Sequence, residues 1–225
     1  MKTPILLSWS SGKDSAWTLY QLQQSEIYEV AGLVTTVNQA FERVAMHAVR
    51  IALLRAQADA AGLPLHIIEL PWPCSNEEYE QRMAAFIAKV REMGIGHMAF
   101  GDLFLEDVRQ YREQQLAGTG ITPVFPLWGQ PTSELAQSMV AAGLQAVLTC
   151  VDPGQLAQEF VGRDFDAGLL DDLPAAVDPC GENGEFHSFV FAGPMFQHAI
   201  PLRKGQVVER DGFVFADLLP ADEVS

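Results

Sequence analysis

The sequence predicts an α/β fold: a doubly wound, mainly parallel sheet followed by a smaller C-terminal α+β subdomain. Three observations predict it. Short apolar runs suited to buried strands alternate with helix-spaced stretches from Ile5 to Val151. The first such strand ends in a loop of small residues, and a later one ends in Gly101-Asp102, at the carboxyl edge where open parallel sheets hold ligands. From Asp152 onward, short strands alternate apolar and polar residues around turn signals. The expected division is therefore 1–151 and 152–225.

The elements follow in order. Ile5-Leu6-Leu7 is a buried strand, Ser10-Ser11-Gly12 a tight loop, and Asp14 to Gln24 a helix. Small residues let backbone N–H groups approach an anion, and the helix start adds unpaired donors and partial positive charge. The loop is thus suited to phosphate. It is not a Walker A loop, because Asp14 follows Gly12-Lys13 where Ser or Thr is required. Tyr28 to Thr36 is the second strand, and Ala45 to Ala61 a helix closed by Gly62 and Pro64. His47, near that helix start, reads as a surface or capping residue or as a nucleotide contact. Leu65 to Leu70 is the third strand, Pro71-Trp72-Pro73 an extended connection, and Ser75 with Glu78 a capping box for a helix through Val90.

The fourth strand spans His97 to Gly101. Asp102 reads equally as a magnesium or substrate ligand and as the N-cap of the next helix. Arg109 and Arg112, three apart, share a face of that helix and meet either phosphate or neighbouring acids. Ile121 to Phe125 and Gln145 to Val151 complete six expected strands, separated by a helix from Pro131 to Ala142. Beyond Asp152 come a short irregular helical segment, a loop, and strands over Glu185–Ala192, Gln206–Arg210 and Phe213–Asp217, with Asp211-Gly212 as a hairpin turn.

Composition narrows the class. The 225 residues are 48% hydrophobic, enough for a packed core, and contain no apolar stretch long enough to span a membrane. A net charge of −15 repels phosphodiester backbones and disfavours a nucleic-acid partner. Three widely spaced cysteines form neither a disulfide framework nor a zinc site. With no signal peptide at the N-terminus, the expected compartment is the cytoplasm.

A second constellation lies in the C-terminal part: Cys180-Gly181-Glu182-Asn183-Gly184-Glu185-Phe186-His187-Ser188. Asn183-Gly184 favours a hairpin, which would place Glu182 and Glu185 on either side of a bend. In a strand starting at Glu185, that residue and His187 share a face, about 6.6 Å apart. Carboxylates beside a nucleotide hold magnesium or orient an amine, and histidine moves protons near neutral pH.

Ser-Ser-Gly-Lys-Asp-Ser resembles the pyrophosphate loop of the PP-loop ATP pyrophosphatases, with Ser11 in place of the first glycine of Ser-Gly-Gly-x-Asp-Ser. Together with Gly101-Asp102-Leu103-Phe104-Leu105-Glu106-Asp107-Val108-Arg109-Gln110-Tyr111-Arg112 and the Cys-Gly-Glu-Asn-Gly-Glu-Phe-His segment, it resembles the diphthine–ammonia ligase family, also described as adenine nucleotide alpha hydrolase-like. The resemblance implies a PP-loop (HUP-like) fold and a ligase that adenylates a carboxylate with ATP, releases pyrophosphate, and lets ammonia displace AMP. It also implies residue roles. Ser10, Ser11, Gly12 and Ser15 would cradle phosphates, Lys13 would meet developing charge, and Asp14 and Asp102 would serve magnesium. Thr35 and Gly101 would border the nucleotide, while Glu182, Glu185 and His187 would place the acceptor or the nitrogen. ATP, Mg2+, ammonia and a carboxylate acceptor are the implied cofactors and partners, with a homodimer as a further expectation. The competing class is a non-catalytic adenine-nucleotide sensor or adaptor.

Overall fold

A computed structural model describes residues 1–38, 43–44 and 49–221. His47 lies outside the described residues. The chain forms β1 (Thr3–Ser8), α1 (Lys13–Gln24), β2 (Tyr28–Asn38), β3 (Arg43–Val44), α2 (Ile51–Ala61), β4 (Leu65–Leu70), α3 (Asn76–Glu92) and β5 (His97–Ala99). There follow α4 (Glu106–Leu116), β6 (Thr122–Val124), α5 (Thr132–Ala141), β7 (Gln145–Val151), α6 (Ala167–Asp172), β8 (Phe186–Ala192), β9 (Leu202–Arg210) and β10 (Phe213–Pro220).

The first sheet has the parallel order β4-β2-β1-β5-β6, with β3 pairing antiparallel to the far end of β2. From β1 the chain winds outward through β2 to β4, then crosses back to lay β5 on the other side of β1. The β1–α1 loop therefore sits at the topological switch point, as a doubly wound reading requires. Alternation along β1 sends Ile5 and Leu7 into a core shared with α1, α2 and the second sheet, and Leu6 into a separate core with Val34, Ile68 and Met98 beneath α3 and α4.

Several local expectations hold for local reasons. Ser75 and Glu78 form a reciprocal capping box at the start of α3. Asp211 and Gly212 both take positive φ, 53° and 83°, which is the twist a two-residue hairpin needs. One expectation fails. Gln145–Val151 does not extend the parallel sheet; β7 lies inside a second, antiparallel sheet of order β8-β7-β10-β9. Its residues are buried from Ala146 to Val151, so the run looks like a central parallel strand although its partners arrive later in the chain.

Candidate nucleotide cleft

The β1–α1 loop owes its shape to a residue with unfavourable geometry. Ser11 adopts φ 71°, in the left-handed region, and is fully buried with no hydrogen-bond partner for Oγ. That conformation costs a non-glycine residue about 1–2 kcal/mol. Two donors hold it: Val190 N–H, at 3.1 Å, and Gln57 Nε2, at 2.9 Å, both bind the Ser11 carbonyl. Gln57 also donates to the Val190 carbonyl at 2.7 Å and accepts from Trp9 Nε1 at 2.9 Å. One buried amide thus joins β1, the loop and β8. Ser11→Gly removes both the strain and the orphan hydroxyl, against some added chain entropy. We expect a gain of about 0.5–1 kcal/mol, seen as a small rise in Tm; a fall in Tm would contradict this description of the loop.

Gly12 caps α1 without a side chain, and Lys13 N–H is met by Ser188 Oγ at 3.1 Å. The Lys13 ammonium is buried. It donates to Asp14 at 2.9 and 3.1 Å and to the Cys180 carbonyl, and lies 5.3 Å from the Phe186 ring centroid. Burial alone would lower its pKa, but the Asp14 carboxylate and the acids beyond it hold the ammonium above the ordinary lysine value. Burial raises Asp14, with Lys13 opposing and Asp178 adding to the rise.

Gly101 fits directly against this turn. A Cβ there would stand 3.0–3.1 Å from backbone atoms of Asp14 and Ser15, so any side chain would have to push the end of β5 and the start of α1 apart by a few tenths of an ångström. Asp102 does not cap α4, whose N-cap is Leu105; its carboxylate instead faces Arg112 Nε at 3.5 Å, and burial raises its pKa.

The second constellation folds differently from the hairpin expected. Gly184 N–H bonds to the Gly181 carbonyl, and Gly181 N–H to the Asp178 carbonyl, so two successive turns carry the chain into β8. No strand precedes them; β8 pairs with β7. Glu185 lies just before the strand. Its buried carboxylate accepts from Asp178 N–H at 2.9 Å and Asn183 Nδ2 at 3.1 Å, tying the loop together. Glu182 reaches across to accept from Leu103 N–H at 2.8 Å, which fastens this loop to the end of the parallel sheet.

These parts enclose one cleft with two chambers. The polar chamber, about 240 Å3, is lined by Ser10, Gly12, Lys13, Asp14, Ser15, Gly101, Asp102, Arg112, Glu182 and His187. Next to it is an apolar chamber of about 330 Å3, bounded by Val34, Thr35, Thr36, Ile68, Met83 and Met98 under Tyr79 and Tyr111. Ser8, Ser10, Phe100, Arg112 and His187 belong to both walls. Of the residues expected at the site, Ser11 and Glu185 support the loops from behind rather than line either chamber. Arg109 does neither: it pairs with Glu113 at 2.9 Å and stacks on Trp128 and Phe125. Gln57 carries structural work in the site that no sequence motif marks, and Ser188, at the end of the second constellation, carries a bond to Lys13 N–H that its place there does not reveal.

Burial pushes Glu182 up to about 7, with the Asp14 and Asp102 carboxylates adding to the rise and its bond to Leu103 opposing it. Burial, and then the Lys13 charge, push His187 down to about 4, so its ring is neutral at pH 7. The linkage sign follows. Between about 4.5 and 7 the folded state binds the Glu182 proton and the unfolded chain does not, so the Glu182 contribution to stability falls as pH rises, while His187, protonated only in the unfolded chain between about 4 and 6.5, contributes the opposite slope. Glu182→Gln leaves the His187 contribution unopposed, so Tm is expected to climb more steeply from pH 5 to about pH 6.5 than in the parent; an unchanged profile would remove Glu182 as a contributor.

Crowded carboxylates favour a cation. Among the described residues no group of three could hold a metal ion alone. Asp14 and Asp102 nevertheless suit Mg2+, which binds through one or two carboxylates and completes its shell with water and substrate phosphates.

Comparison with known proteins agrees with this architecture. Residues 1–122 match the diphthamide synthase N-terminal domain, and residues 131–215 the diphthamide synthase C-terminal domain. The diphthine–ammonia ligase of Bos taurus is 23% identical over 233 residues, covering 92% of this chain and 85% of that protein. That of Danio rerio is 24% identical over 227 residues, covering 92% and 89%. The diphthine–ammonia ligase of Schizosaccharomyces pombe is 32% identical over 95 residues, 40% of this chain and 16% of that longer protein. With both domains matched in order along most of its length, the chain belongs to the diphthamide synthase family.

Proposed function

We propose that this protein is an ATP-dependent amide ligase that forms AMP and pyrophosphate while joining ammonia to a carboxylate. The observation that carries the reading is the meeting of the β1–α1 loop and the Asp178–Glu185 loop on one cleft, joined through Lys13 to the Cys180 carbonyl and Ser188. In this reading the triphosphate occupies the polar chamber, with Ser10, Gly12, Ser15 and their backbone donors around it. Adenosine occupies the apolar chamber beside Thr35. The bond to be broken then lies at the shared wall.

The acceptor carboxylate oxygen attacks the α-phosphorus, the α–β bridging bond breaks, and pyrophosphate leaves. Ammonia then attacks the acyl carbon and AMP departs with the bonding electrons, the surplus proton passing to a base. Lys13 meets the charge that builds on the leaving group. Neutral His187 accepts or relays a proton at the shared wall. Glu182 orients the acceptor or the nitrogen, and Glu185 holds the loop that carries Glu182. Magnesium, held by Asp14 and Asp102 with the phosphates, would supply further charge neutralisation. The N-terminal sheet serves the nucleotide and the C-terminal sheet the acceptor, which is a small carboxylic acid or a modified protein side chain.

No helix among the described residues is long and apolar enough to cross a membrane, and all three cysteines are free, which suits work in the cytoplasm. Incubation with ATP, Mg2+, ammonia and a panel of carboxylic acids tests the proposal. Equal amounts of AMP, pyrophosphate and amide are expected with a true acceptor. Release of ADP would overturn the reading, and ATP binding without turnover under any acceptor would return the chain to the class of nucleotide-binding adaptors.

A further inference from the structure

We propose that Arg112 is a nucleotide-binding residue whose guanidinium meets the α-phosphate of ATP and of the acyl-adenylate. The inference rests on the ligase reading above and adds a group to its site. Among the described residues lining the two chambers, Lys13 and Arg112 are the cations, set against the carboxylates of Asp14, Asp102 and Glu182.

The two cations differ in what they have left to give. The Lys13 ammonium is spent on the Asp14 carboxylate and the Cys180 carbonyl. Arg112 lies over the Phe100 ring with Cζ 5.1 Å from the centroid, and among the described residues its one polar partner is Asp102 at 3.5 Å. That distance is long for a charge-assisted bond, whose usual range is about 2.7–2.9 Å. Nη1 and Nη2 make no hydrogen bond among the described residues. A guanidinium presents five donors in a flat fork that matches a phosphate, so most of its capacity is unused.

Position completes the argument. Arg112 stands in the wall common to the polar and apolar chambers, where a nucleotide threaded through both would carry its first phosphate. The neighbouring Arg109 shows the contrast: on the same helix, it is fully engaged by Glu113, Phe125 and Trp128 and lines neither chamber.

Calorimetric titration of the full chain with AMP, ATP and inorganic pyrophosphate separates the roles. Arg112→Met keeps much of the packing on Phe100 and removes the charge. It should weaken AMP and ATP roughly tenfold to a hundredfold, as expected for a charged hydrogen bond, while pyrophosphate affinity changes less than about twofold and reports that the fold is intact. Arg112→Lys should recover part of the loss. Unchanged AMP affinity in Arg112→Met, or an equal loss for pyrophosphate, would overturn the assignment. Failure of the parent protein to bind ATP or AMP would instead remove the ligase reading on which the assignment rests.

Discussion

Asp14→Ala is expected to lower AMP formation by about a thousandfold. Two losses combine. The carboxylate that holds the Lys13 ammonium at 2.9 and 3.1 Å disappears, and with it one of the two carboxylates suited to the metal. Misplacing one preorganised charge at a developing anion typically costs about 10²–10³ in rate. The truncation also leaves a buried ammonium without its counter-charge, which destabilises by about 3–5 kcal/mol. Asp14→Asn separates these effects, because the amide keeps an acceptor for Lys13 and the shape of the turn. Asn should restore much of the thermal stability and little of the turnover. Turnover near the parent rate in either variant would remove the loop from the chemistry.

Gln57→Leu is expected to cost about 3–5 kcal/mol, a drop in Tm on the order of 10 °C. The leucine fills the space but satisfies none of the groups Gln57 serves: Trp9 Nε1–H, the Ser11 carbonyl and the Val190 carbonyl. Each buried polar group left without a partner costs about 1–3 kcal/mol. Ser11 keeps only Val190 N–H, so its left-handed turn also loses half of its support. Gln81→Leu, on the exposed face of α3, is the control and should shift Tm by a degree or two at most. If both variants melt within that margin of the parent, the buried amide is not what fixes the loop.

Motifs whose determinants are neighbours in the chain are legible in the sequence. The β1–α1 turn was legible because small residues, a lysine and an acid fall in consecutive positions. The capping box at Ser75 and the Asp211-Gly212 turn were legible for the same reason: their determinants lie within four residues. Gln57 was not, since it bonds across 46 and 133 positions and looks like any polar residue on a helix. Ser188 and the Cys180 carbonyl meet Lys13 across 175 and 167 positions. Asn183-Gly184 looks like a hairpin because turn propensity says nothing of whether a strand leads into the turn. β7 looks like a strand of the parallel sheet because burial on both faces hides which strands flank it. Pairing over long distances is decided by packing, and periodicity along the chain carries no record of it.

The residues that hold the site together lie both inside and outside its motifs. Glu185 and Ser11 sit inside motifs yet act from behind, whereas Gln57 has no motif and fastens the loop. Substitutions at these supports should show first in melting temperature and only then in turnover.

A crystal structure with α,β-methylene ATP and Mg2+ tests the central claim most directly. The β- and γ-phosphates should lie against Gly12 to Ser15, the base beside Thr35, and the α-phosphorus opposite Glu182 and His187. A triphosphate bound outside the two chambers, or an α-phosphorus turned away from the Asp178–Glu185 loop, would contradict it.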